Sequence, residues 1–391
     1  MSELLRGRVV TPDAVLDDGV VEVDGDRIGS VSRVSAWRAD HPDDALPEPS
    51  GTLLPGLVDI HCHGGGGAVF TTSDPAEATT AAEHHHRNGT TSVMASLVTA
   101  SPDDLVEQVT ALAPLVRAGV VAGVHLEGPF LSEARCGAQD PALIVDPNPD
   151  VATRILDAAD DTVAMMTIAP ERPGYDRTAE VLRGRGVVVA LGHSDADYDT
   201  FASALAGLEG TGVVTHLANG MPPFHHRAGG PVGASLVAAS QRVAVIELIA
   251  DGRHVDAGFV RLAFAVAGGQ VALVTDAMAA AGMADGEYDL GGQRVGVREG
   301  LARLVDGDGE FGSIAGGTSR LIENVARCVN EVGIPLVDAV RAASSTPARA
   351  VGLADACGAL LPGRYADVLV TDDHLSLRRV LRRGEWLSTG R

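Results

Sequence analysis

Between residues 56 and 276 the chain repeats one pattern. A short run of Val, Ile, Leu and Ala ends on or just before a polar residue, and a longer mixed segment follows. The apolar runs cover 56–60, 91–97, 120–126, 163–169, 187–192, 213–217, 243–250 and 271–276. Runs without polar alternation mark strands buried on both faces, and the spacers between them are long enough for helices. One spacer opens with Ser73-Asp74-Pro75-Ala76-Glu77, which combines a cap, an early proline and an acidic first turn. Eight strands at this spacing predict a (β/α)8 barrel of the TIM type, with its chemistry at the C-terminal ends of the strands.

The two ends of the chain read differently. Val20–Val23 and Arg27–Val31 flank Asp24-Gly25, a hairpin signal, and the tail repeats this character at Ala366–Thr371 and Val380–Leu387. The pattern predicts a small β-sandwich assembled from both termini. The expected division is 1–52 (sandwich), 53–354 (barrel) and 355–391 (sandwich). Residues 282–312 are rich in Gly and Asp, with short strand-like pieces, and read as an insertion after the eighth strand.

Composition narrows the chemistry. A net charge of −22 and 3% aromatic residues argue against nucleic acid or an anionic membrane as partner, leaving room for a local basic pocket. All 30 basic residues are arginine, which excludes Schiff-base catalysis, a P-loop and a carboxylated lysine bridging two metals. The four cysteines, Cys62, Cys136, Cys328 and Cys357, have no paired spacing. With no visible signal peptide or transmembrane-length run, this predicts a reduced, cytoplasmic setting.

The polar residues that close the apolar runs are metal-type residues. His61 and His63 share a face of an extended segment and precede four glycines. Glu127, His193 and His216 end three further runs and together make a Glu/His/His set with room for water, as catalytic zinc requires. Asp276 ends the last run, where a carboxylate beside an activated water can take its proton. His125, on the face of Glu127, reads as a hydrogen-bonded interior residue. His84-His85-His86 falls near a helix C-terminus and reads as structural. Two loops, His225-His226-Arg227 and Asp251-Gly252-Arg253-His254, offer cationic or hydrogen-bonding groups for an anionic substrate.

Taken in order, Pro55–Gly64, His125–Phe130, Thr167–Glu171, Gly192–Ser194, His216–Pro222, His225–Arg227, Ala250–His254 and Val274–Ala277 resemble the amidohydrolase superfamily. Within it, they resemble most the N-acetylglucosamine-6-phosphate deacetylases. The motifs span nearly the whole chain and are specific in combination. The resemblance implies hydrolysis of the acetamide of an amino-sugar phosphate by a homodimer. It implies one or two divalent ions, with zinc expected first and iron, cobalt or manganese as alternatives. Glu127, His193 and His216 would hold the principal ion, and His61 and His63 a second. Asp276 would shuttle the proton. Ala138, Gln139, Asn219, Gly220, Arg227, Asp251, His254, Ile314, Ala315 and Gly316 would lie on the substrate side, with one of Asn219, Gly220, Arg227 and His254 acting on the neighbouring subunit of the dimer.

Two positions depart from the family pattern. Gln139 stands where the family commonly has a histidine that contacts the acetamide carbonyl. Either its neutral N–H replaces that donor, or a second ion polarises the carbonyl. Gly220 replaces the usual alanine, without consequence if only its backbone N–H is used. The alternatives are another N-acetylhexosamine phosphate such as the galacto epimer, deamination of a base, and a non-catalytic sugar-phosphate-binding barrel.

Overall fold

In the computed structural model, which describes residues 2–208 and 212–388, seven of the expected core strands form one curled parallel sheet. Its spatial order is Val271–Leu273, Ala244–Leu248, Gly212–Val214, Val188–Leu191, Val163–Ile168, Val124–Glu127, Ala95–Leu97. Each strand pairs in parallel with its neighbour in sequence, as short right-handed βα connections require. The remaining segment, 58–63, is hydrogen-bonded on both flanks. Val58 and Asp59 pair with Ser92 and Val93, while Cys62 bridges Ala277 in parallel.

The helices lie between these strands, and their starts follow the sequence signals. Helix Pro75–Arg87 begins after Asp74, whose side chain accepts the Ala76 N–H. Ser101 and Asn148 do the same before Pro102 and Pro149. The inside of the curled sheet is filled by Val58, Ile60, Met94, Met165, Ala190, Val213, Val245, Ile249, Ala272 and Val274, all buried. A larger apolar layer joins the outer faces of the strands to the helices.

Both termini build a second, seven-stranded sheet. Its pairs are antiparallel except where Ser2–Val10 meets Thr52–Pro55. It bends back on itself, so that Arg27 bridges Tyr365 around a core that includes Leu5, Val21, Ile28, Leu53, Val368 and Leu381. The Gly- and Asp-rich segment after the last core strand is a four-stranded antiparallel sheet from Gly286 to Ile314. Among the described residues, no helix is long and apolar enough to cross a membrane.

Candidate active site

The core strands are shorter than their apolar runs suggested. Strand Gly212–Val214 ends two residues before His216, Val188–Leu191 two before His193, and Val271–Leu273 three before Asp276. The cause is local. His193, His216 and Asp276 have φ of 46°, 22° and 48°, a left-handed backbone that cannot continue a strand. This turn swings each side chain over the mouth of the sheet. Glu127 alone among the six remains inside a strand, Val124–Glu127.

These six residues converge. Glu127 Oε1 lies 2.8 Å from His216 Nε2, 3.0 Å from His193 Nε2 and 3.4 Å from His61 Nε2. Its Oε2 lies 3.1 Å from His63 Nε2. Asp276 Oδ1 closes the other side at 3.1 Å from His63 Nε2 and 3.4 Å from His61 Nε2. All six are buried. Two groupings have metal-binding geometry: His61, Glu127 and His216, and His61, His63 and Asp276.

Burial alone would suppress every charge here, but the groups perturb one another more strongly. Burial lowers the pKa of His61 and His63, yet the facing carboxylates overturn this. His61 is raised well above its ordinary value and His63 to about 9. Burial pushes Glu127 and Asp276 up, while the imidazoles hold both below the usual carboxylate range. The Nε2 atoms of His193 and His216 are 3.1 Å apart and those of His61 and His63 3.2 Å apart, so each pair must hold a proton or a metal cation between its lone pairs. Protons supply that role in part. A divalent cation suits imidazole and carboxylate donors better and displaces those protons, so the donor set fits a metal.

Some of the rings are fixed from behind. His193 Nδ1 meets the Arg135 carbonyl at 2.7 Å, and His63 Nδ1 meets the Ser96 carbonyl at 3.1 Å. His61 Nδ1 meets Glu247 Oε2 at 2.9 Å. Glu247 did not emerge from sequence reasoning. The available signal was one acid inside the apolar run Val243–Ala250. His125 turns away from the carboxylate to hydrogen-bond Ser96 Oγ at 3.0 Å and Thr167 Oγ1 at 2.9 Å, an interior role. Within the helical triplet, His85 meets the Gly64 carbonyl at 2.9 Å and so supports the segment following His63.

A cavity of about 340 Å³ opens over the cluster. Ala138, Gln139, Asn219, Gly220, His254, Ile314 and Gly316 line it together with His63, Glu127, His193, His216 and Asp276. Asp251 stands behind His254, 2.8 Å from its Nδ1, and Ala315 is buried beneath the lining. Burial lowers the His254 pKa, but the hydrogen bond and charge of Asp251 raise it overall. Asp251 is held low by the same pair against its own burial.

Arg227 is not brought to this cavity. Its loop projects outward, closed by the His225–Ala228 bridge. Phe224 beside it is 54% exposed, and the Arg227 guanidinium rests 2.7 Å from His226 Nε2. Gln139 is present but already engaged. Its Nε2 donates to Glu127 Oε2 at 2.6 Å, and its Oε1 accepts the Thr99 N–H at 2.7 Å. Nor is Gly220 a neutral position. It has φ +59°, and a Cβ there would lie 2.8 Å from His193 Nδ1.

Residues 52–387 match the model of the Amidohydrolase family. An N-acetylglucosamine-6-phosphate deacetylase of Vibrio furnissii is 31% identical, with 94% of this chain and 90% of that one covered. An N-acetylgalactosamine-6-phosphate deacetylase of Escherichia coli O157:H7 is 30% identical over 99% of this chain and 100% of its own length. In structure, the chain superposes with a TM-score of 0.91 on a mutant N-acetyl-D-glucosamine-6-phosphate deacetylase of Mycobacterium smegmatis in complex with N-acetyl-D-glucosamine-6-phosphate. That protein is 41% identical, with 98% of this chain and 99% of that one covered.

Proposed function

The chain belongs to the amidohydrolase family, and on that premise we propose how it deacetylates N-acetylglucosamine 6-phosphate to glucosamine 6-phosphate and acetate. The observation that carries the proposal is the Glu127 carboxylate ringed by four imidazole Nε2 atoms within 3.4 Å, with Asp276 facing two of them. Glu127, His193 and His216 would hold one divalent ion, and His61 and His63 a second. Zinc suits these donors, as do iron, cobalt or manganese. Such an ion supplies Lewis acidity, polarising the acetamide carbonyl and making a water acidic.

The protein's own groups do the rest. Asp276, held as a carboxylate by the neighbouring imidazoles, takes the proton of the attacking water as the water oxygen bonds to the acetamide carbon. It returns that proton to the nitrogen as the C–N bond breaks, so acetate and a free amine leave. His254, whose cationic form is favoured by Asp251, would receive the phosphate in an otherwise acidic protein. Asn219, Gly220, Ile314, Gly316 and Ala138 line the cavity and would contact the sugar. Arg227 projects from its own subunit and would serve the cavity of a partner in a homodimer.

The parallel sheet together with segment 58–63 forms the eight-stranded barrel in this reading. Residues 53–354 act as its body, and 1–52 and 355–391 as the accessory β-unit. Free cysteines among the described residues suit a cytoplasmic setting.

The galacto epimer is the second reading, favoured by the full-length similarity to the Escherichia coli O157:H7 relative. Acetate release from N-acetylglucosamine 6-phosphate, N-acetylgalactosamine 6-phosphate and unphosphorylated N-acetylglucosamine, with elemental analysis of the enzyme, separates the two. Faster turnover of the galacto substrate would replace the first reading. Equal turnover without phosphate would remove the role of His254.

A further inference from the structure

Glu247 is the penultimate residue of strand Ala244–Leu248 and is wholly buried. Side chains of alternate strand residues share a face, and its neighbours Val245 and Ile249 both pack inside the curled sheet. Glu247 therefore enters an apolar interior directly beneath the site. Several hydroxyls share this interior. Ser96, Thr167 and Thr215 hydrogen-bond one another through His125, with Thr167 Oγ1 2.8 Å from Thr215 Oγ1.

The carboxylate has two specific partners. Its Oε2 accepts from His61 Nδ1 at 2.9 Å and from the backbone N–H of His216 at 3.0 Å. Its Oε1 is buried and has no hydrogen-bond partner among the described residues. Backbone anchoring alone would be met by a hydroxyl or an amide. A carboxyl group with one oxygen unpaired is costly in such a place, and imidazole is the one titratable side chain it touches.

We propose that Glu247 is the positioning residue of His61. It keeps a proton on Nδ1, so that Nε2 is the atom that faces His63, Glu127 and Asp276 and is free to ligate once an ion displaces its own proton. Through the same oxygen it fixes the strained turn at His216, coupling the two histidine arms of the site. An acceptor behind a ligating imidazole orients the ring and raises its basicity, and its loss typically weakens metal binding about 10- to 100-fold. This inference rests on the reading of His61 and His63 as ligands of a second ion.

The test compares wild type, Glu247→Gln and Glu247→Leu, each stripped with chelator and titrated with zinc by calorimetry, with metal counted by elemental analysis. Nitrogen-15 histidine spectra of the same samples report the His61 tautomer, assigned with a His61→Gln variant. Wild type is expected to take two ions and to show His61 protonated at Nδ1. Glu247→Leu should lose about 10- to 100-fold in affinity for one ion, with a smaller change in the other, and a mixed His61 tautomer. Glu247→Gln preserves an acceptor oxygen and the shape, so it should retain the tautomer and show an intermediate affinity. It also carries the test if the leucine variant fails to fold. Unchanged zinc affinities together with an unchanged tautomer in both variants would overturn the inference. A wild type that binds a single ion would instead overturn the two-ion reading, and the tautomer would still decide the part played by Glu247.

Discussion

Gln139 offers the sharpest separation of two ways this site could work. Its amide joins the Thr99 backbone N–H, at 2.7 Å, to the Glu127 carboxylate, at 2.6 Å. Gln139, Thr99 and Glu127 are all buried, so water is a poor substitute on either side. Replacing Gln139 with methionine preserves length and removes both hydrogen bonds. A hydrogen bond to a charged group contributes about 1.5–3 kcal/mol, and an unmet buried N–H costs about 1–3 kcal/mol. Because the two losses share one side chain and add imperfectly, the metal-free protein should lose about 2–5 kcal/mol.

In the metal-loaded protein, Glu127 would be a less firmly oriented ligand, and zinc affinity should fall about 10- to 100-fold. Denaturant unfolding of the metal-free form and calorimetric zinc titration measure the two effects. Turnover at saturating metal should then fall little. If Gln139 instead donates to the acetamide oxygen, the pattern reverses, with kcat falling about 10²- to 10³-fold while metal affinity and stability stay near wild type. That result would refute its assignment as the holder of Glu127.

Other perturbations reach different parts of the site. Asp276→Asn keeps the shape and one oxygen facing His63, so elemental analysis should find normal metal while kcat falls about 10²- to 10⁴-fold. Normal kcat would remove Asp276 from proton transfer. For the Asp251–His254 pair, the signs are opposite. The contribution of His254, whose pKa is raised, is full below about 6.5 and is lost as pH rises through the higher folded value. The contribution of Asp251, whose pKa is lowered, is present above the ordinary carboxylate value and is lost as pH falls through the folded one. KM for the sugar phosphate should therefore climb on the alkaline side, and Asp251→Asn should move that climb to lower pH. Gly220→Ala combines a left-handed backbone with a Cβ 2.8 Å from His193 Nδ1. It should cost about 1 kcal/mol or more in stability and weaken zinc binding at His193.

The apolar runs made the core strands legible, because strands buried on both faces carry little else. The site residues were legible because each follows such a run. The sequence did not reveal that His193, His216 and Asp276 leave the strand through left-handed turns, since nothing in histidine or aspartate requires that backbone. Glu247 was hidden by its setting in an apolar strand, where a single acid resembles an irregularity. Arg227 illustrates the opposite difficulty. Its guanidinium suits an anion, but the direction of its loop depends on packing that local pattern does not encode. Gln139 was identifiable as a departure from the family pattern, but its two partners come from distant segments and required the fold.

The left-handed turns at His193, His216 and Asp276 also bear on how the protein can change over time. Each non-glycine residue held there is strained by about 1–3 kcal/mol, and glycine would relieve that strain. Mutational drift toward greater stability therefore runs against activity at the positions that carry it. A descendant released from selection for turnover should lose these side chains early, keep its sheet and become harder to unfold. An inert relative with glycines at these three turns and a higher melting temperature would be the expected relic of that path.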